Sequence, residues 1–349
     1  MKSRPDLHQV LACAAAASAE SPLMIATVLR AEGSTPVYAG AKAVIGPEGL
    51  LAGTIGGGAV EGEALRRTGD MLNAGASGVF DFTLHGPGGV DPRPVCGGMM
   101  RVLLHSLKPE DRSAYVEAHG ALTSRRRGIL ETVITGGTPI RARARWVDDD
   151  SDLPCRNALA TLRVEHLQAA NGTNERLLEP VLPLPVLLIV GAGHVGQALA
   201  AQAALAGFEI TVIDDRGELL EPNGFPGSAR LLAGDIPAAV KDFPFDEDTF
   251  VVLATRGHYA DGLALKQCLG RPVAYVGMIG SRRKVVLMRQ HFLANGMATA
   301  EEFDRVHAPI GLDIGAETAP EIAISILAQL IAVRRGALKT PAAKIPAPV

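Results

Sequence analysis

The run Gly191-Ala192-Gly193-His194-Val195-Gly196 constrains this chain more than any other feature. It fits G-x-G-x-x-G, a weak signal alone, but the flanking pattern is that of a dinucleotide fold. Val186–Val190 precedes it as a short, continuous apolar run, the mark of a strand buried on both faces. An alanine-rich helix over 194–206 follows, and the next strand, Glu209–Ile213, ends in Asp214. An acidic residue about 20 positions beyond the glycines completes the fingerprint. Gly191 is expected to make the tight turn, Gly193 to let the backbone approach a phosphate, and Gly196 to let helix and strand pack closely. The helix N-terminus at His194 offers N–H groups and a positive dipole end to that phosphate. Asp214 sits where a carboxylate accepts hydrogen bonds from ribose hydroxyls. The alternative is a Rossmann-like fold that has lost its nucleotide, since fold is not function.

Downstream, strands at 229–233, 249–254 and 273–277 alternate with helices at 260–269, 281–294 and 318–335. That alternation implies a doubly wound parallel α/β sheet with helices on both faces. Pro183 and Pro185 mark a linker before it, and Pro341, Pro346 and Pro348 mark a loose tail over 341–349. The first half reads differently. Helices at 5–20 and 59–74 are set among strands at 23–30, 41–45, 50–55, 79–84 and 99–107, an α+β pattern. The 349 residues suit two domains at roughly 100–200 residues each, placed at 1–180 and 181–340. The final helix is apolar over much of its surface: Ile322, Ile324, Ile326, Leu327, Leu330 and Ile331. It either supports a homodimer or lies sandwiched inside its domain.

Two later segments belong at the same sheet edge, where open parallel sheets bind ligands. Ser281 can cap a helix whose first turn holds Arg282, Arg283 and Lys284. Cations there oppose the helix dipole, and an anionic ligand would compensate. Thr255–Asp261 follows the strand at 249–254, and His258 within it is a candidate acid, base or donor. In the first half, Gly56-Gly57-Gly58 joins a strand to a helix, and its N–H groups can form an anion nest. Glu61 and Glu63 would repel an anion there unless they point away. Cys96, between Pro94 and two glycines, is a candidate nucleophile or soft metal ligand. Cys13 and Cys268 lie in apolar helical patterns and read as core, and Cys155 has no assignment. Ser34-Thr35 with Lys42 can be cast as a hydrolase, but Gly-Ser-Thr-Pro reads more simply as a turn.

The net charge of −3, with no basic stripe, argues against nucleic acid as a partner. No apolar run reaches the 18–20 or so residues of a membrane span. Four scattered cysteines without C-x-x-C spacing fit a cytoplasmic protein.

With these segments in hand, the chain resembles the xanthine dehydrogenase accessory protein family, XdhC/CoxI. The resemblance rests on Gly33–Pro36, Gly53–Glu61 and Cys96–Gly98 in the first half. In the second it rests on Gly191–Gly196, Asp214–Arg216, Thr255–Asp261, Tyr275–Arg282 and Pro309–Gly315. It implies an N-terminal XdhC/CoxI domain and a C-terminal Rossmann domain. It also implies a maturation factor that binds the molybdenum cofactor, as molybdopterin in mono- or dinucleotide form. Such a factor helps fit the cofactor with a sulfido ligand from a cysteine desulfurase. It then hands the cofactor to an apo molybdenum hydroxylase of the xanthine dehydrogenase type. Many relatives carry a cysteine where this chain has Ala59, and some carry paired cysteines where it has only Cys96. Cys96 is thus the one motif cysteine, with possible contact to molybdenum or sulfur. The competing function is an NAD(P)-dependent oxidoreductase built on the Rossmann domain.

Overall fold

The computed structural model describes residues 7–17, 21–84, 98–137, 139–148, 152–169 and 174–338, without the side chains of His258 and Tyr259. Two compact units divide after Pro183. The first holds α1 (Leu7–Ala16), β1 (Met24–Glu32), β2 (Lys42–Gly46), β3 (Gly49–Gly53), α2 (Gly58–Asn73), β4 (Gly78–Leu84) and β5 (Gly98–Ser106). It continues with α3 (Pro109–Thr123), β6 (Gly128–Thr135), β7 (Arg141–Val147), α4 (Leu153–Thr161), β8 (Glu165–Gln168) and β9 (Asn174–Val181). Two antiparallel sheets result, ordered β3-β2-β1-β5-β4 and β7-β6-β9-β8. Strand alternation lets β1 serve two cores at once. Met24, Ala26 and Val28 pack with Val60 and Ala64 of α2. Leu23 and Ile25 pack with Leu11 of α1, Tyr115 of α3 and Leu130 of the second sheet.

The second unit holds β10 (Val186–Val190), α5 (His194–Leu205), β11 (Glu209–Asp214), β12 (Arg230–Ala233), α6 (Ile236–Lys241) and β13 (Thr249–Leu253). Then come α7 (His258–Cys268), β14 (Tyr275–Met278), α8 (Arg282–Ala294), α9 (Ala300–Asp304) and α10 (Ala319–Arg334). Its sheet runs β12-β11-β10-β13-β14, and every pair is parallel. Val240, Leu265 and Met288, from α6, α7 and α8, cover one face. Leu199, Ala203, Ile326 and Leu330, from α5 and α10, cover the other. This is the doubly wound α/β sheet that the alternating pattern implies. Beyond β14 the chain adds a further parallel edge: His307 N–H donates to Val276 O at 2.9 Å and Met278 N–H to His307 O at 3.0 Å.

The glycines around β10 answer to packing. A Cβ on Gly191 would lie 2.4 Å from Ala254 O, and its φ of +121° suits glycine. A Cβ on Gly196 would lie 2.0 Å from Gly191 O, so α5 can sit on its own loop only without a side chain there. Gly193 differs: among the described residues, chain neighbours aside, nothing lies within 4 Å of its would-be Cβ.

The dimer expectation on α10 loses its footing. Ala323, Ile326 and Leu330 are buried, while Ile322, Leu327 and Val333 pack against the same core. Only Ile324 of its large apolar side chains is mostly exposed, at 51%. The helix is the sandwiched one. Among the described residues, no helix is long and apolar enough to cross a membrane.

These contacts order two alanine substitutions. Gly196→Ala is expected to destabilise by more than the average mutation's ~1 kcal/mol. Gly69→Ala, in the exposed interior of α2 with nothing within 4 Å, should stabilise by about 0.5–1 kcal/mol. Thermal unfolding of the two variants checks this, and a neutral Gly196→Ala would contradict the packing.

Candidate functional site

Strand order reverses between β10 and β13, because the chain lays β11 and β12 on one side and returns to add β13 and β14 on the other. The crevice at the carboxyl ends of β10 and β13 is where an open α/β sheet takes its ligand. The helices that start there, α5 at Gly193 and α7 at Gly257, have no capping side chain. Every other α-helix of this unit is capped: α6 by Asp235, α8 by Ser281, α9 by Thr299 and α10 by Thr318. A helix leaves its first four N–H groups without intrahelical partners. At α5 those groups point past Gly193, whose α-carbon faces open space. His194 is exposed at the start of that helix.

Ser281 takes up the Lys284 N–H, as a cap should, at 3.3 Å. The three cations behind it separate. Lys284 turns inward and donates to Asp261 Oδ2 at 2.6 Å. Arg282 and Arg283 are exposed, as is Arg256 after β13. Asp261 has a role that the sequence did not reveal. Wholly buried, it accepts from Thr255 N–H at 3.1 Å and from the Thr255 hydroxyl at 2.5 Å. A buried carboxylate needs such partners, and here they fix the loop after β13. His258 opens α7; its side chain lies outside the described residues.

Asp214 corrects an expectation. It ends β11 as anticipated, but its carboxylate is buried and fully engaged rather than open to a ribose. Oδ1 accepts from Arg216 N–H and Nε, each at 2.9 Å. Oδ2 accepts from Ala192 N–H at 2.7 Å and from Arg216 Nη2 at 2.8 Å. A carboxylate has about four acceptor positions, so none remains. Burial raises the carboxyl pKa, but Arg216 and the two N–H groups outweigh it and hold the pKa down to about 2.

In the first unit, three motif segments meet. A Cβ on Gly56 would lie 2.5 Å from Pro36 Cγ, and one on Gly98 would lie 2.3 Å from Ser34 O. The turn Gly33–Pro36 is therefore wedged between the glycine loop and the start of β5. An internal carboxylate braces the turn just before Gly56-Gly57-Gly58 rather than the glycine N–H groups themselves. Glu61 Oε2 accepts from Ile55 N–H at 3.2 Å and from the Thr54 hydroxyl at 2.6 Å. Thr54 in turn accepts from Gly56 N–H at 3.0 Å. Glu63 points away, to Arg66 and Arg67. Gly57 and Gly58 carry positive φ of 67° and 59°, face open space and leave α2 without a side-chain cap. The hydrolase arrangement does not form. The Thr35 hydroxyl donates to Val37 O, while Lys42 is buried on Thr27 and Glu179, at 2.9 and 2.7 Å.

Cys96 lies outside the described residues. None of the described cysteines is activated. Burial raises the Cys13 and Cys268 thiols, the latter to about 12. Burial, then the Asp152 carboxylate, raises Cys155 to about 11. Among the described residues, no group of three His, Cys, Asp or Glu side chains is placed to hold a metal ion.

Two family models match this chain. One, described as the XdhC and CoxI family, spans residues 16–83; the other, described as the XdhC Rossmann domain, spans residues 187–330. Together they take in more than half of the 349 residues. The chain belongs to the XdhC and CoxI family. The first match includes Gly33–Pro36 and Gly56–Gly58 but ends before Cys96. A protein of Bacillus subtilis strain 168, described as a probable xanthine dehydrogenase subunit, is 25% identical over 319 residues, covering 89% of this chain and 93% of that one. An uncharacterized Escherichia coli K12 protein, YqeB, is 44% identical over 154 residues, or 44% of this chain and 28% of that protein. The match thus spans little more than a quarter of the E. coli protein. A crystal structure described as a xanthine dehydrogenase from Bacillus halodurans shares the fold of this XdhC/CoxI chain. Its TM-score is 0.72 at 23% identity, over 94% of this chain and 95% of that one.

The Asp214 contacts make acid stability diagnostic. Its folded pKa lies below the unfolded value of about 3.9, so its contribution is present above that value and is lost as pH falls toward about 2. Urea denaturation followed by circular dichroism should show wild type ahead of Asp214→Asn at pH 6, with the gap narrowing at pH 3. An equal gap at both pH values would show that the ionised carboxylate is not what matters.

Proposed function

We infer that this XdhC/CoxI chain is an accessory factor for a molybdenum hydroxylase of the xanthine dehydrogenase type. It binds the molybdenum cofactor as cargo, holds it during sulfuration and delivers it to the apo-enzyme. The observation that carries this reading is Gly193. Gly191 and Gly196 are glycines because backbone crowds them, whereas among the described residues nothing beyond its chain neighbours crowds Gly193. A glycine facing open space at the uncapped start of α5, on the same sheet edge as the uncapped start of α7 and the exposed Arg256 and Arg282, suits the phosphate of a bound pterin. The name of the B. subtilis relative supports the choice of client. Cys96 is the candidate thiol for molybdenum or for sulfur supplied by a cysteine desulfurase, because the described cysteines are held as thiols. The oxidoreductase reading is weaker, because it needs a ribose seat at Asp214 that Arg216 fills.

Reconstitution of an apo molybdenum hydroxylase tests this with two variants. Gly193→Val puts a branched side chain where the phosphate approaches, and should lower cofactor retention about tenfold or more while the fold survives. Cys96→Ser should retain cofactor but yield client with less of the sulfido form. If folded Gly193→Val protein retains cofactor as wild type does, the C-terminal site is misassigned. If Cys96→Ser activates its client fully, that thiol plays no part in sulfuration.

A further inference from the structure

We propose that Arg216 is a specificity determinant. It closes the ribose seat of the C-terminal unit, so the site reads a phosphate and ignores a nucleoside's 2′,3′-diol. The ligand class is then phosphate esters and pyrophosphates as such, for which the phosphorylated pterin without a nucleotide suffices. The inference rests on the phosphate reading of Gly193 given above and adds which part of the ligand the protein does not use.

The ordinary seat is a carboxylate at the end of the second strand, accepting hydrogen bonds from ribose hydroxyls. This chain has that carboxylate in that place, yet Asp214 is 1% exposed and its acceptor positions are taken. Three of the four contacts come from Arg216: its N–H and Nε at 2.9 Å to one oxygen, and Nη2 at 2.8 Å to the other. The guanidinium fork matches a carboxylate edge-on, and such paired, charge-assisted bonds are the strong kind. The fourth contact, Ala192 N–H at 2.7 Å, ties the carboxylate to the glycine loop itself. The acid that reads ribose elsewhere here braces the loop. A diol could bind Asp214 only by expelling a guanidinium from a buried carboxylate, exchanging charged donors for neutral ones. Asp215 does not replace it as an internal brace: its side chain is 65% exposed, 3.7 Å from Arg216 Nε.

The test titrates the full chain with ADP and with 2′,3′-dideoxy-ADP, which carry the same phosphates and differ only in the diol. Wild type should bind both within about twofold. Arg216→Ala frees acceptor positions on Asp214 and should prefer ADP by about tenfold or more, the scale of hydrogen bonds to a charged group. Arg216→Ala combined with Asp214→Asn should lose most of that preference. Arg216→Lys, which keeps the charge but not the fork, should fall between and serves if the alanine variant unfolds on heating. A wild type that already prefers ADP tenfold, through Asp215 or otherwise, would overturn the proposal and leave the phosphate site standing. So would folded Arg216→Ala and Arg216→Lys proteins without any diol preference. If neither nucleotide binds wild type or variant, the phosphate reading of Gly193 itself falls, and this proposal with it.

Discussion

The carboxyl edge of the parallel sheet depends on how closely α5 lies on the first glycine of its own loop. At Gly196 the distance leaves no room for a Cβ, and at Gly191 the backbone of the neighbouring strand end, Ala254, crowds the same way. Close-packed backbone of this kind has few alternatives, because interiors are packed to crystal-like density. The loop is therefore held from two sides, and the N–H groups of the first turn of α5 are presented in a fixed direction. A site that must hold a ligand phosphate benefits from donors that need not reorganise.

Carboxylates, two of them buried and one half-buried, do the rest of the bracing. Asp214 grips Ala192, Asp261 grips Thr255, and Glu61 grips Ile55 and Thr54 in the first unit. Each satisfies loop N–H groups that would otherwise lack a partner, and each is itself stabilised by charged or hydroxyl donors. The pattern separates structural anion sites, which the chain fills with its own acids, from open ones. At the Rossmann edge, among the described residues, the groups left over include the uncapped starts of α5 and α7 and the exposed guanidiniums Arg256, Arg282 and Arg283.

Local signals made much of this legible in the sequence. The apolar run before Gly191 marked β10, Ser281 announced the cap of α8, and the tight turn at Gly191 and the close helix packing at Gly196 followed from their spacing. What the sequence hid depended on side-chain direction or on distant partners. Asp214 stands where a ribose-binding acid stands, and only the structure shows Arg216 folding back onto it. Lys42 looks like a surface or catalytic lysine in a string of letters, but pairing β2 beside β1 and placing β9 nearby buries it on Glu179. The edge formed by His307 depends on a partner in β14, reached only after α8 and α9. The short helices α6 and α9 begin on ordinary start signals, Asp235 before Pro237 and Thr299 before Glu302, but are too short to show a helical period. The apolar girth of α10 suggested a second copy because sequence cannot tell a helix flanked by its own domain from one flanked by a partner.

The central claim is that the open glycine at Gly193 exists for a phosphorylated pterin. The most direct measurement is of what the purified protein carries. Protein isolated without oxygen, denatured and oxidised, should release a fluorescent pterin bearing phosphate, in an amount approaching one per chain. Release of a nicotinamide dinucleotide in its place, or of no small molecule even after expression alongside active cofactor synthesis, would contradict the account.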